Sequence, residues 1–142
     1  MAISTLKLTT EMKAGFRTEV ACGKPFVIDQ PNPMGSNEGP NPLEVFLSAL
    51  GGCICAIGRI IANQEKLDVR SIRVAIEGDL DKNFLLGTTT EGRAGFTEIR
   101  ARVEVDADMT PEEKAAFVDR IEKRCPIADN MVHGTTIRTQ VV

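Results

Sequence analysis

Apolar residues crowd the stretch from Pro42 to about Lys66. Leu43, Phe46, Leu47, Leu50, Ile54, Ile57 and Ile61 recur at helical spacing, and Val45, Ala49, Ala56 and Ile60 fill the gaps between them. A helix with one apolar stripe lies on a surface, whereas one that is apolar on most sides is enclosed. The pattern therefore predicts a long central helix, buried nearly all round. Its start is marked by Asn41 as N-cap, Pro42 at N1 and Glu44 at N3, placed to reach back to the cap. A membrane span needs about 20 apolar residues. This run is broken by Gly51-Gly52 and closed by Arg59, so it reads as a core helix.

On either side the period changes. Thr5 to Thr10, Phe16 to Cys22 and Phe26 to Asp29 read as short strands of an N-terminal meander, with a turn at Cys22-Gly23-Lys24-Pro25. Gln30 to Pro40 is too rich in proline and glycine for helix or central strand. Ile72 to Glu77 and Ile99 to Val105 alternate apolar with charged residues, the mark of an antiparallel, half-solvated sheet. Asp81 to Gly95 between them reads as a mobile or site-covering connection. Thr110-Pro111-Glu112-Glu113 opens a second helix that runs to Arg124, and Ile137 to Val141 reads as a closing strand. Strands, long helix, strands, helix, strand is an α+β order, carried by a single domain over residues 1–142.

Charge and composition remove whole classes of partner. The formal net charge is -3 with no clustered Lys/Arg run, which lacks the footprint of a nucleic-acid or anionic-membrane binder. No secretory leader is visible at the N-terminus, so the expected compartment is the cytoplasm. Four cysteines without a Cys-x-x-Cys pair suit neither a disulfide scaffold nor structural zinc. The single histidine, His133, reads as part of a turn before the last strand.

The thiols then carry the chemistry. Residues on a helix advance by about 100° each, so Cys53 and Cys55 point roughly 200° apart and cannot form a local dithiol. A buried cysteine is ordinarily a small hydrophobe, and Cys22 and Cys55 keep that reading. Gly51-Gly52 directly precede Cys53 and cost about 1 kcal/mol each relative to alanine, which suggests that something needs room beside that thiol. Cys125 precedes Pro126, which must end the preceding helix and can itself start another, making Cys125 an N-cap thiol beside free N–H groups. Lys123 and Arg124 add positive charge nearby. A hydrophobic helix terminator is the equal alternative for Cys125.

Gly39-Pro-Asn-Pro-Leu-Glu-Val-Phe-Leu-Ser-Ala-Leu-Gly-Gly-Cys53, followed by Cys125-Pro126, resembles the osmotically inducible protein C and organic hydroperoxide resistance (OsmC/Ohr) family. The resemblance implies an intertwined α+β homodimer with antiparallel sheets, the long helices in its core and sites at the subunit interface. It also implies a thiol-dependent peroxidase acting in the response to oxidative stress. In that scheme Cys53 attacks an organic hydroperoxide and becomes a sulfenic acid, and Cys125 condenses with it to a disulfide. An external dithiol, in the family a lipoylated protein, restores the thiols, and the scheme implies no metal, flavin or other cofactor. Arg17 matches the arginine that supports the thiolate.

The chain departs from the family pattern at one point. The position directly after Asn-Pro, where the peroxidases carry a glutamate that pairs with the arginine, is Leu43 here. Glu44 is the next residue, a possible supporting carboxylate whose cap role already accounts for it. Two alternatives follow from this departure: a non-peroxidatic OsmC-like protein that binds a small apolar ligand at the dimer interface, and a redox-responsive dimer without turnover.

Overall fold

The computed structural model describes residues 1–142, which divide into two compact units, Met1–Phe46 and Leu47–Val142. In the first unit β1 (Thr9–Ala14), β2 (Arg17–Ala21) and β3 (Phe26–Ile28) form an antiparallel sheet in that order. The first hairpin turns at Gly15, whose φ of 58° favours glycine. That turn sets the register. Ala14 faces Arg17 and Thr9 faces Ala21, so pairing ends at Thr9 because β2 has no further residue to offer. The strand expected over Thr5 to Thr10 therefore begins four residues later, and Met1 to Leu8 form no strand within this chain.

Helix α1 (Pro42–Glu65) begins at the expected cap: the Asn41 side chain accepts the Glu44 N–H at 2.9 Å, and the Glu44 carboxylate accepts the Asn41 N–H at 2.8 Å. Its length and apolarity would pass for a membrane span by composition alone. In this chain, however, Leu50, Ile54, Ile61 and Ala62 are buried in the core of the second unit. Burial is confined to that stripe. Phe46, Ala49, Gly52, Ala56 and Ile60 lie on the opposite side and stay exposed, so enclosure on every side does not occur within one chain.

Across the core stripe lie β4 (Val69–Asp79) and β5 (Glu98–Ala107), an antiparallel pair. Ile72 faces Val105, Val74 faces Val103 and Ile76 faces Ala101, while Arg73 faces Glu104 and Glu77 faces Arg100. One face of this ribbon is thus apolar and the other an ionic ladder, as the alternation predicts. Arg100 gathers Glu77, Asp79 and Glu98, which hold its guanidinium cationic and press the Glu77 and Asp79 carboxyls below their usual range. The connection between the strands is more ordered than its composition suggests, containing a one-turn helix α2 (Lys82–Leu85) capped by Asp81.

Helix α3 (Pro111–Arg124) has the expected capping box between Thr110 and Glu113. It places Phe117 and Ile121 in the core four residues apart, and Cys125 four residues further on the same stripe. Arg120 and Arg124 reach the end of α1 at Glu65 and Gln64. Gly58 is the glycine that close packing requires: a Cβ there would press on Ile72 and Ile121. By contrast, Gly52 faces open space and Gly51 faces only Ile76, so the room beside Cys53 lies at the surface.

Beyond Pro126 the chain continues as α4 (Pro126–His133). His133 therefore ends a helix, its Nδ1 3.0 Å from Asp129 Oδ1, and is not part of a turn. Residues 134–142 are exposed and form no closing strand, since no strand of this chain pairs with them. Phe117 is fully buried, and Phe117→Ala should cost about 3–5 kcal/mol through lost transfer energy and the cavity left behind. Denaturant unfolding followed by circular dichroism measures this as a lower midpoint at unchanged slope.

Candidate active site

Two helix features bring Cys53 and Cys125 together. Cys53 lies on α1, half-buried beside the core stripe. Cys125 is buried at the end of the Phe117–Ile121 stripe, where Pro126 forbids further helix and the backbone turns extended, with φ −82° and ψ 109°. The Cys125 S–H donates to Cys53 Sγ across 2.8 Å, although the residues are 72 apart in sequence, and both are free thiols. Less than about 1 Å separates that distance from a disulfide bond length of about 2.0 Å.

Helix α4 starts at this pair. The Ala128 N–H donates to Cys125 Sγ at 3.4 Å, and the Ile127 N–H donates to Cys53 Sγ. These are unpaired donors of a helix first turn, directed at two sulfurs. Burial pushes the Cys53 thiol above the usual range and the neighbouring Cys125 sulfur adds to that, while the Ile127 N–H pulls the other way. Lys123 and Arg124 do not assist: Lys123 pairs with Asp119 at 2.7 Å and Arg124 with Gln64.

The other two cysteines are spent on backbone carbonyls. Cys55 Sγ points to Ile72 O at 3.7 Å, away from Cys53 as helical geometry requires, and Cys22 Sγ donates to Lys24 O at 3.0 Å. No group of three or more His, Cys, Asp or Glu side chains converges as a metal site would need.

In the first unit, Arg17 opens β2 and is held by two carboxylates. Its Nε donates to Glu38 at 2.5 Å and its Nη1 to Glu19 at 2.7 Å. Glu19 and Glu38 keep the guanidinium firmly cationic, and Arg17 in turn lowers the Glu19 carboxyl. Glu44, the candidate supporting carboxylate, is committed to the helix cap at Asn41 and makes no ion pair with Arg17. The carboxylate that sequence reasoning missed is Glu38. Its only signal is an acid standing alone in the Gly/Pro-rich loop just ahead of Asn41-Pro42.

Known proteins resemble this chain in sequence and in fold. The profile of the OsmC-like protein family matches residues 35–140. A hydroperoxide reductase of Mycoplasma genitalium is 30% identical over 104 residues, covering 73% of this chain and 70% of that protein. The crystal structure of an OsmC-like protein from Mycoplasma pneumoniae superposes with a TM-score of 0.78 at 21% identity, over 98% of this chain and 96% of that one. An organic hydroperoxide resistance protein OsmC from Legionella pneumophila gives 0.69 at 18% identity, over 94% and 93%. These two solved structures share the α+β fold with antiparallel sheets.

The geometry predicts a selective oxidation. Diamide, which oxidises neighbouring dithiols, should lower the mass by about 2 Da through one bridge. Non-reducing peptide mapping should join the Cys53 and Cys125 peptides and leave Cys22 and Cys55 open to alkylation; a bridge to either of the latter would contradict the site.

Proposed function

The chain belongs to the OsmC-like family, and from that membership we propose that it is a thiol-dependent peroxidase of organic hydroperoxides. The observation that carries this reading is the 2.8 Å approach of Cys53 and Cys125 at the start of α4. A relative named hydroperoxide reductase supports the peroxide-related role at the level of the family.

The Cys53 thiolate attacks the outer oxygen of ROOH, the O–O bond breaks, and RO⁻ leaves to take a proton as the alcohol. Cys53 is now a sulfenic acid, two electrons oxidised. Cys125 attacks that sulfur, expelling the oxygen as water once its own proton is transferred, and a Cys53–Cys125 disulfide results. An external dithiol, such as a lipoylated protein, reduces the disulfide by two exchange steps and is itself oxidised. The family resemblance assigns support of the reactive thiolate to Arg17. The cycle uses no metal and no other cofactor, and it suits a reducing compartment such as the cytoplasm.

The functional unit is a homodimer. Phe46, Ala49, Gly52, Ala56 and Ile60 fall on one side of α1, opposite the core stripe, and their small central residues suit close approach of a second helix. A second copy of the chain covers that face. Ala56→Arg, which puts a charge at its centre, should convert a dimer to a monomer in sedimentation equilibrium.

Cys53→Ser should reduce consumption of cumene hydroperoxide, with dihydrolipoamide as reductant, to the uncatalysed background. Cys125→Ser should support a single turnover and leave a sulfenic acid on Cys53 that dimedone traps. Unchanged turnover in Cys53→Ser would end this reading.

A further inference from the structure

The two sulfurs of the site differ in access. Cys125 is 1% exposed and belongs to the buried cluster with Phe117 and Ile121, whereas Cys53 is only partly buried and packs against that cluster from its margin. Ile127, Ala128 and Met131 of α4 pack against the same cluster. Cys125 is also tied at each of its polar atoms. Its N–H donates to Glu122 O at 3.2 Å, its carbonyl accepts the Asp129 N–H at 3.0 Å, and its sulfur accepts the Ala128 N–H at 3.4 Å. A residue held this way cannot swing out to meet a reagent without giving up the start of α4.

A Cys53–Cys125 disulfide offers a reductant two sulfurs, and exchange depends on which one is attacked. The incoming thiolate, the attacked sulfur and the departing sulfur lie roughly in line during the displacement. Attack at Cys125 would bring the nucleophile from the side away from Cys53, through a residue enclosed by the core. Attack at Cys53 brings it from the side away from Cys125, and the peroxide step already requires that Cys53 be reached from outside. Condensation obeys the same geometry, since Cys125 displaces the sulfenic oxygen from the face of Cys53 opposite to itself. The oxygen therefore leaves from the position that an incoming thiolate then takes. Charge released by that second attack falls on Cys125, where the Ala128 N–H of the α4 first turn is already directed.

We propose that reduction of the disulfide is one-sided: the external dithiol attacks the Cys53 sulfur, entering where the peroxide oxygen left, and Cys125 is the leaving group. The first exchange breaks the Cys53–Cys125 bond and forms a mixed disulfide between Cys53 and the reductant. The second thiol of the reductant then attacks its own sulfur in that mixed disulfide, closes a cyclic disulfide and releases Cys53. Two electrons pass from the dithiol to the protein sulfurs, and its two protons end on Cys53 and Cys125. This deepens the disulfide cycle given above and rests on it.

The test uses the full chain, oxidised with diamide so that no hydroperoxide is needed. A monothiol, 2-mercaptoethanol, replaces the dithiol because it stalls at the first exchange. Within the first half-life of reduction the mixture is acidified, which removes the thiolate and freezes exchange, and is digested with pepsin for peptide mass analysis. The mercaptoethanol adduct should sit on the Cys53 peptide with Cys125 free, exceeding the reverse arrangement by at least about tenfold. The same disulfide reduced in guanidinium chloride should lose that preference, because the unfolded chain exposes both sulfurs. Equal adducts in the folded chain, an excess on Cys125, or the same ratio folded and unfolded would overturn the proposal, as would a diamide product without the Cys53–Cys125 bridge. A chain that consumes no hydroperoxide yet carries the adduct on Cys53 would end the peroxidase reading and leave the one-sided exchange standing.

Discussion

Cys125 lies at the end of the buried stripe formed by Phe117 and Ile121, and Pro126 determines where that stripe stops. Had α3 continued for another turn, the N–H of Ala128 would be spent on the carbonyl of Arg124, and the sulfur would be an inert core atom. Proline removes that option twice over. It has no N–H of its own, and it drives the residue before it out of helical geometry. The chain must restart, and a restarting helix exposes the donors of its first turn. Because Cys125 is already held in the core against α1, those donors meet two sulfurs rather than water. The tight packing around Gly58, where α1 meets β4 and α3, keeps this junction from drifting.

The Cys125 sulfur, 2.8 Å from Cys53 Sγ in a half-buried site, works against a charge on Cys53. Burial raises the Cys53 thiol, and the Ile127 N–H offsets part of that. The balance stays on the raised side, which favours a resting Cys53 that holds its proton. Further stabilisation of the thiolate has to come from a group outside the pair.

Parts of this were legible in the chain because they are local. Asn41 with Glu44, Thr110 with Glu113, and Pro126 mark helix starts within four residues, and all three helices begin where those signals stand. The alternation over β4 and β5 was equally plain, since each strand shows both of its faces in sequence. What failed was whatever depended on a partner. The stretch before Thr9 and the stretch from Ile137 to Val141 have strand patterns but no neighbour in this chain. The all-round apolarity of α1 describes more contact than one chain provides. At the site, the pairing of Cys53 with Cys125 was suggested by family resemblance and not by spacing. The Arg17–Glu38 pair spans 21 positions with no periodic signal at all.

The two units are also held by different forces, and the difference separates their responses to pH. The second unit rests on an apolar core, whereas the loop that carries Glu38 rests on one ionised carboxylate. Backbone donation, first from Glu38, holds the Asp29 carboxyl below its usual range. A depressed carboxyl contributes its full stability above the ordinary value of about 3.9 and loses it as pH falls through the lower folded-state value. Throughout the neutral range the loop is therefore constant. The Cys53 thiol shifts the opposite way, upward from the ordinary thiol range, so its ionisation changes on the alkaline side, where the scaffold does not. A pH dependence of sulfur reactivity in that range therefore reports on the sulfurs and their donors rather than on loosening of the loop.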